Sequence, residues 1–407
     1  MTQDDEWLVA VTAGRWQRHG IQEAKLAGLK ILAIDADANA EGFADADHAM
    51  HIDFDDHDSI IKSIRDLGFN IKGAVSFCSE VGMTLAARIR EEFNLPGPKL
   101  DLCKRLLDKA VQRTIWKEKA VPGPAEFIVF HNPAEVLAGI KDFELPFIIK
   151  PTDSSGSRGV TKIDSLHDNI EDALSRAFQF SRSGSVIIES FMDGTEFTVE
   201  VFVTDGIVHV LAVTEKKKVE GTKGTVASEL ATPNRPFEIT EVIKKTVMNA
   251  FVALDYTEGP GHAEIILKKD NTVGLVEVAG RGGGFMVFNK FVPLVSGVNI
   301  ARLTALQAVG KSVGNIENKN AAAVLRFFPS KPGTLISITG FEEANNIEGV
   351  ESTPFVRVGD KFQSAATDGD RLGYILSFSD SPQKAQQLAD NAEKLIHFEI
   401  KPFSNDD

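Results

Sequence analysis

Three stretches of the chain gather residue types that can do chemistry. The first is Phe147-Ile-Ile-Lys-Pro-Thr-Asp-Ser-Ser-Gly-Ser-Arg-Gly-Val160. An apolar run reads as a buried strand that delivers Lys150 at its end. Ser154, Ser155, Gly156, Ser157 and Gly159, with Arg158 among them, then offer hydroxyls and unobstructed backbone N–H groups, which suit the wrapping of phosphate oxygens. A surface hairpin loop would use similar residues, but the order strand, lysine, proline, loop favours phosphate. The second stretch is His262-Ala-Glu-Ile-Ile-Leu-Lys-Lys-Asp-Asn-Thr-Val-Gly-Leu-Val-Glu277. A two-residue turn at Asp270-Asn271 makes it a hairpin in which Glu264 faces Glu277. Opposed Cβ atoms lie about 4.5–5.5 Å apart, and like charges so placed destabilise a sheet unless something positive joins them. A divalent cation is the natural occupant, and two carboxylates without a Cys/His cluster suit Mg²⁺ completed by substrate phosphates. A register shifted by one would put a solvated face there instead. Removing one charge, as in Glu277→Gln, is expected to relieve repulsion and leave the metal-free fold equally or more stable. Arg281 follows four residues later, on the same face if the strand continues, and Gly282-Gly-Gly284 would let a substrate approach the backbone.

The third stretch, Ser185-Val-Ile-Ile-Glu-Ser-Phe-Met-Asp-Gly-Thr-Glu196, runs an apolar strand into a glycine turn with acids at Glu189 and Glu196. Lys216-Lys-Lys218 with Gly221 and Gly224 reads as a basic flexible stretch, either a mobile active-site loop or a solvated one. Other candidates carry blander readings. His209 alternates with Val208 and Val210 as a structural strand histidine, and Cys78 and Cys103 lack a pattern for nucleophilic work. Asp35 ends a strand where a cap or loop role outweighs a cofactor role, and no G-x-G-x-x-G follows the first strand. Gly310-Lys-Ser312 has the ending of a P-loop, but Ala305 stands where its first glycine belongs.

These residues need elements to position them. The first hundred residues alternate strand and helix patterns: Trp7 to Thr12, Gln22 to Gly28, Lys30 to Asp35, Ser59 to Gly68, Gly73 to Phe77 and Val81 to Phe93, the signature of βαβ units on a parallel sheet. Pro96-Gly-Pro98 and Val121-Pro-Gly-Pro124 bracket a linker helix from Leu100 to Lys119. A compact β/α segment with the size of a lid follows, and from Phe197 long strands dominate. The expected architecture is α/β and α+β: an N-terminal parallel-sheet domain (1–98), a linker helix (99–124), a lid (125–190), a central antiparallel-sheet domain (191–320) and a β-rich closing unit (321–407).

Composition narrows the function classes. The 407 residues carry 44 Lys and Arg against 58 Asp and Glu, a formal charge of −14, so no global positive field draws the protein to nucleic acid or anionic lipid. No apolar stretch approaches the roughly 20 residues needed to span a bilayer. Two cysteines and an acidic start without a signal-peptide pattern point to a cytoplasmic protein with reduced thiols.

In order along the chain, Asp108-Lys109, Phe147-Ile-Ile-Lys150-Pro with its Ser/Gly loop, Val186-Ile-Ile-Glu189-Ser-Phe191, Gly194-Thr-Glu196, Glu264-Ile and Glu277-Val-Ala-Gly-Arg281 resemble the ATP-grasp superfamily. Asp370-Arg-Leu-Gly-Tyr-Ile-Leu with Asp380-Ser-Pro-Gln-Lys-Ala resembles the closing domain of its carboxylate–amine ligases, which include L-amino-acid ligases and are kin to biotin carboxylase and carbamoyl phosphate synthase. The resemblance implies ATP held between two α+β domains, with Lys109 and Lys150 on phosphates, Ser154 to Gly159 as a lid loop, Glu189 near adenine, Glu196 at the ribose and Phe191 among the nucleotide-binding residues. It implies Mg²⁺, or Mn²⁺, on Glu264 and Glu277, and Arg281 at the acyl phosphate or substrate carboxylate. Many relatives read Glu-x-Asn at the second metal position, where Ala279 here supplies no oxygen. The implied reaction joins a small-molecule carboxylate to an amine through an acyl phosphate, in a homodimer. ATP-dependent carboxylation with bicarbonate as the activated acid, and non-catalytic nucleotide sensing, are the competing readings.

Overall fold

The computed structural model describes residues 5–403 apart from 55, 141–142, 220–225, 366 and 368. The chain opens with β1 (Trp7–Val11), α1 (Arg18–Leu26), β2 (Lys30–Asp35), β3 (His48–His51), α2 (His57–Asp66), β4 (Ile71–Val75) and α3 (Val81–Glu92). The four strands form a parallel sheet in the order β3-β2-β1-β4. β1 is buried along its whole length because helices cover both faces, which is why it reads as an unbroken apolar run. The short, polar-flanked β3 gives too weak an alternation to be read from sequence. Asp35 holds the turn after β1, accepting the Ala13 N–H at 2.7 Å and the Asp37 N–H at 2.9 Å, so its role there is structural.

The single linker helix expected over 100–119 is two helices, α4 (Leu100–Leu107) and α5 (Lys109–Glu118). Asp108 leaves the helical region and its carboxylate caps α5 by accepting the N–H groups of Ala110 and Val111. The break sets Lys109 on the first turn of α5. The segment expected to be a lid comprises β5 (Phe127–Phe130), α6 (Pro133–Gly139), β6 (Phe147–Pro151), β7 (Thr161–Ile163), α7 (Ile170–Phe180) and β8 (Val186–Ser190), with sheet order β5-β8-β6-β7.

Then come β9 (Gly194–Thr204), β10 (Ile207–Lys218), β11 (Ala227–Ala231), α8 (Phe237–Ala253), β12 (Gly259–Lys268), β13 (Val273–Ala279), α9 (Val292–Ser296) and α10 (Ile300–Ala308). The chain closes with β14 (Ala322–Pro329), β15 (Gly333–Thr339), α11 (Phe341–Asn345), β16 (Val350–Pro354), β17 (Lys361–Phe362), β18 (Arg371–Ser379), α12 (Pro382–Glu393) and β19 (His397–Lys401). One antiparallel eight-stranded sheet, β13-β12-β9-β10-β11-β14-β18-β16, runs through both regions, and β17-β15-β19 form a small separate sheet. Among the described residues no single helix is long and apolar enough to cross a membrane.

At the junction within the large sheet, Glu229 on β11 is buried and bound by Lys217 at 2.6 Å and Arg326 at 2.6 Å. Burial alone would raise its carboxyl, but the Lys217 ammonium and the Arg326 guanidinium outweigh that and hold it below the ordinary value. A carboxyl lowered by folding stabilises the native state fully above its unfolded value, about pH 4.3 for glutamate, and loses that contribution as pH falls through the folded value. The melting temperature should therefore drop with acidification below about pH 4.3, and Glu229→Gln should flatten that dependence. An unaltered acid limb in a calorimetric pH series would refute it.

Candidate active site

The hairpin β12–β13 brings Glu264 opposite Glu277, the pairing expected from sequence, but by another register. Next to the turn, Leu267 pairs with Val273 and Ile265 with Leu275. The connection is longer than two residues, with the Asn271 N–H on the Lys268 carbonyl and Asn271 at φ 64°. A bulge between Glu264 and Ile265 then inserts Val276 and restores the carboxylate pair. β13 ends at Ala279, so Arg281 projects from the following loop and not from the strand.

Lysines divide the two carboxylates. Lys109 Nζ is 2.6 Å from Glu277 Oε2, and Lys216 Nζ is 3.3 Å from Glu264 Oε1. The expected repulsion is thereby absent, and so is the expected stabilisation on neutralising Glu277: its loss would strand a buried lysine. Lys216 also meets Glu196 Oε1 at 2.6 Å, with Lys218 on the other oxygen of Glu196. The Lys216 to Lys218 stretch is the end of β10 and not a loop, and 220–225, with Gly221 and Gly224, lie outside the described residues. Period-two alternation explains the split, since Lys217 turns to the opposite face.

The β5–β8 unit and α5 supply a second cluster. Lys150 Nζ lies 2.6 Å from Glu189 Oε2, and Arg113 Nε lies 2.8 Å from Glu189 Oε1, all three side chains being buried. Burial pushes the Lys150 ammonium down, and Glu189 only partly offsets it. The Lys109 ammonium also feels burial, but Glu277 and Glu80 outweigh it and raise it. Lys109 Nζ also donates to the Ser154 carbonyl at 2.8 Å, so one lysine joins the lid loop to the metal-type carboxylate. Beyond Ser154, Arg158 Nε binds the Ser155 carbonyl at 3.1 Å, and Gly156, Ser157 and Gly159 take positive φ around an exposed tip. Phe191 lies after β8, its ring 4.2 Å from the Lys162 ammonium.

At the other end of the site, Arg281 Nη2 meets Glu80 Oε1 at 2.5 Å and Arg281 Nη1 donates to the Gly282 carbonyl at 3.1 Å. Burial would raise the Glu80 carboxyl, but Arg281 and Lys109 outweigh it and hold it low. After Gly284, Phe285 and Met286 both take left-handed φ before a π-helical turn over Val287–Phe291, a local strain of the kind found beside functional sites.

Sequence reading missed Arg113, Glu80, Glu200 and His262. Arg113 stands four residues after Lys109 on one helix face, and Glu200 continues the alternation Glu196, Thr198, Glu200, so a periodicity signal existed for both. His262 pairs with Glu200, and its Nε2 is 3.9 Å from Glu264. Burial would lower its imidazole, yet Glu200 raises it to about 9. Lys216 holds the Glu264 carboxyl well below the usual range, against the burial that would raise it. Among the described residues no group of three or more metal-type side chains assembles, so Glu264 and Glu277 stand as a two-carboxylate oxygen set, which fits a Mg²⁺ whose other positions go to phosphate and water.

Known proteins resemble this chain in sequence and in fold. Residues 143–289 match the ATP-grasp domain and residues 326–401 match the L-amino acid ligase C-terminal domain 2. An uncharacterized protein of Sinorhizobium fredii is 26% identical over 97% of this chain and 82% of its own. The phosphoribosylamine–glycine ligase of Thermococcus gammatolerans is 27% identical over 74% of this chain and 72% of its own. The crystal structure of L-amino acid ligase from Bacillus licheniformis superposes with a TM-score of 0.81 at 23% identity, covering 98% of this chain and 100% of that one. The chain carries an ATP-grasp domain followed by an L-amino acid ligase C-terminal domain and is an ATP-grasp ligase. Such ligases generally use ATP and Mg²⁺.

Proposed function

We propose that the protein joins two α-amino acids, or an amino acid and another amine, using ATP. The γ-phosphoryl group passes to a carboxylate oxygen as its bond to the β-phosphate oxygen breaks, giving ADP and an acyl phosphate. The amine nitrogen, free of its extra proton, attacks the carbonyl carbon; the C–O bond to phosphate breaks, and the amine loses a proton to water. The observation that carries the substrate class is the Glu80–Arg281 pair at 2.5 Å, beside the carboxylate pair. Opposite charges in contact match a zwitterion: Glu80 takes the ammonium and Arg281 the carboxylate that becomes acyl phosphate. A sugar-phosphate acceptor, as carboxylation of a nucleotide would require, meets repulsion from Glu80.

In this reading Lys109, Lys150 and the Ser154 to Gly159 loop hold phosphates, Glu189 and Phe191 border the adenine, and Glu196 takes the ribose. Glu264 and Glu277 hold Mg²⁺, which supplies neutralisation of phosphate charge. Catalysis is then positioning and charge stabilisation, with no covalent enzyme nucleophile. The working form is a cytoplasmic homodimer. Both metal-type carboxylates and both phosphate lysines are present, which favours turnover over sensing.

The test is an ADP-release screen across amino acids, hydroxy acids and bicarbonate, with mass spectrometry of products. Amino acids should give amine-dependent ADP and a condensed product. Turnover with bicarbonate alone would establish carboxylation, and tight MgATP binding with no turnover on any pair would establish sensing. Hydrogen exchange over 154–159 should slow when a non-hydrolysable ATP analogue and Mg²⁺ are added, because the loop's exposed tip gains phosphate partners. Equal protection at saturating analogue would count against a phosphate-gripping lid.

A further inference from the structure

Glu200 sits at the middle of β9 with 0% of its surface exposed. It stands opposite His262 of β12 in register. One of its oxygens bonds His262 Nδ1, and the other accepts the backbone N–H of Gly283 at 2.9 Å. Gly283 lies two residues past Arg281, and His262 lies two residues before Glu264. A Cβ on Gly283 would come 2.6 Å from Glu200 Oε1, so the approach of the loop to this carboxylate requires glycine there. A buried carboxylate is stabilised by such donors and by little else. By the alternation of β9 and its register with β12, Glu200 shares a sheet face with Glu196 and Glu264.

We propose that Glu200 is a positioning residue that fixes the Arg281 loop against the β12 strand, setting where the acid's carboxylate stands relative to the carboxylate pair. Its effect falls on the acid substrate and not on nucleotide. The activity arm rests on the ligase reading; the exchange arm does not.

Glu200→Gln keeps one acceptor of the same shape, so the amide can accept from Gly283 or from His262 but not from both as the carboxylate does. Gly283→Ala strikes the same contact from the loop side. Each variant should raise KM for the acid at least about tenfold, in line with the cost of misplacing a reacting group, while affinity for the Mg²⁺-bound non-hydrolysable ATP analogue stays within about twofold. The double variant should be little worse than the worse single, since both remove one contact. Amide exchange over 281–286 should speed up in Glu200→Gln without nucleotide or substrate. The proposal is overturned if that exchange is unchanged, if the two substitutions add independently, or if nucleotide affinity and melting temperature fall in step with turnover, which is the mark of a general fold defect. Should wild type show no acid-dependent ADP release, the ligase reading fails, and the exchange arm still decides whether Glu200 holds the loop. If Glu200→Gln does not fold, Gly283→Ala alone carries the kinetic test.

Discussion

Replacing Glu277 by glutamine is expected to lower amine-dependent ADP formation at least about a hundredfold, through lost charge stabilisation in the transferring complex. The substitution removes one of two carboxylates in the oxygen set and leaves the shape of the side chain intact. It should also destabilise the nucleotide-free protein by about 1–3 kcal/mol, because the largely buried Lys109 ammonium loses its contact carboxylate and keeps the Ser154 carbonyl, a neutral amide and the attraction of Glu80. Adding nucleotide should reverse part of that loss, since phosphate then serves Lys109. The measurement is a pair of denaturation curves, with and without MgATP, beside a steady-state assay. Normal turnover at saturating Mg²⁺ would remove Glu277 from the metal site, and unchanged stability would show that the Lys109 contact contributes nothing.

Lys150→Ala should weaken ATP binding by about 1.5–3 kcal/mol, the scale of a charged hydrogen bond, which is roughly ten- to a hundredfold in affinity. The fold should survive, because Glu189 retains Arg113 at 2.8 Å and is not left as a lone buried charge. Calorimetric titration of the folded variant decides it: ATP affinity equal to wild type would take Lys150 out of the phosphate site.

What could be read from the sequence was local. A lysine closing an apolar strand before a Ser/Gly loop, and two glutamates placed about a turn, are patterns confined to short stretches of chain, and both led to residues the fold brings into one site. Glu80 and Arg281 could not be read this way, since they are separated by 201 positions and meet only because the loops after β4 and β13 run side by side, the Gly282 N–H donating to the Phe77 carbonyl. The Val276 bulge was equally hidden: a bulge is a response of the ladder to sheet twist, and the chain's pattern of side chains only shows that the register closes. Glu264 met Glu277 because a longer turn and the bulge offset one another. Asp108 was overlooked as a break because its flanks are good helix formers, and its capping role depends on a backbone excursion that composition does not mark.

The eight-stranded sheet has a bearing on how this chain can be cut or recombined. β14 hydrogen-bonds directly to β11, so the strands that follow residue 321 complete the same ladder that bears Glu196 and Glu264. A chain truncated near 320 would leave the β11 ladder edge, including the backbone of the charged Glu229, open to pairing with other chains. Chimeras that exchange substrate preference between relatives would therefore have to carry the closing strands along with the catalytic sheet, and place their upstream joint instead in the Pro122-Gly123-Pro124 passage, ahead of the lid.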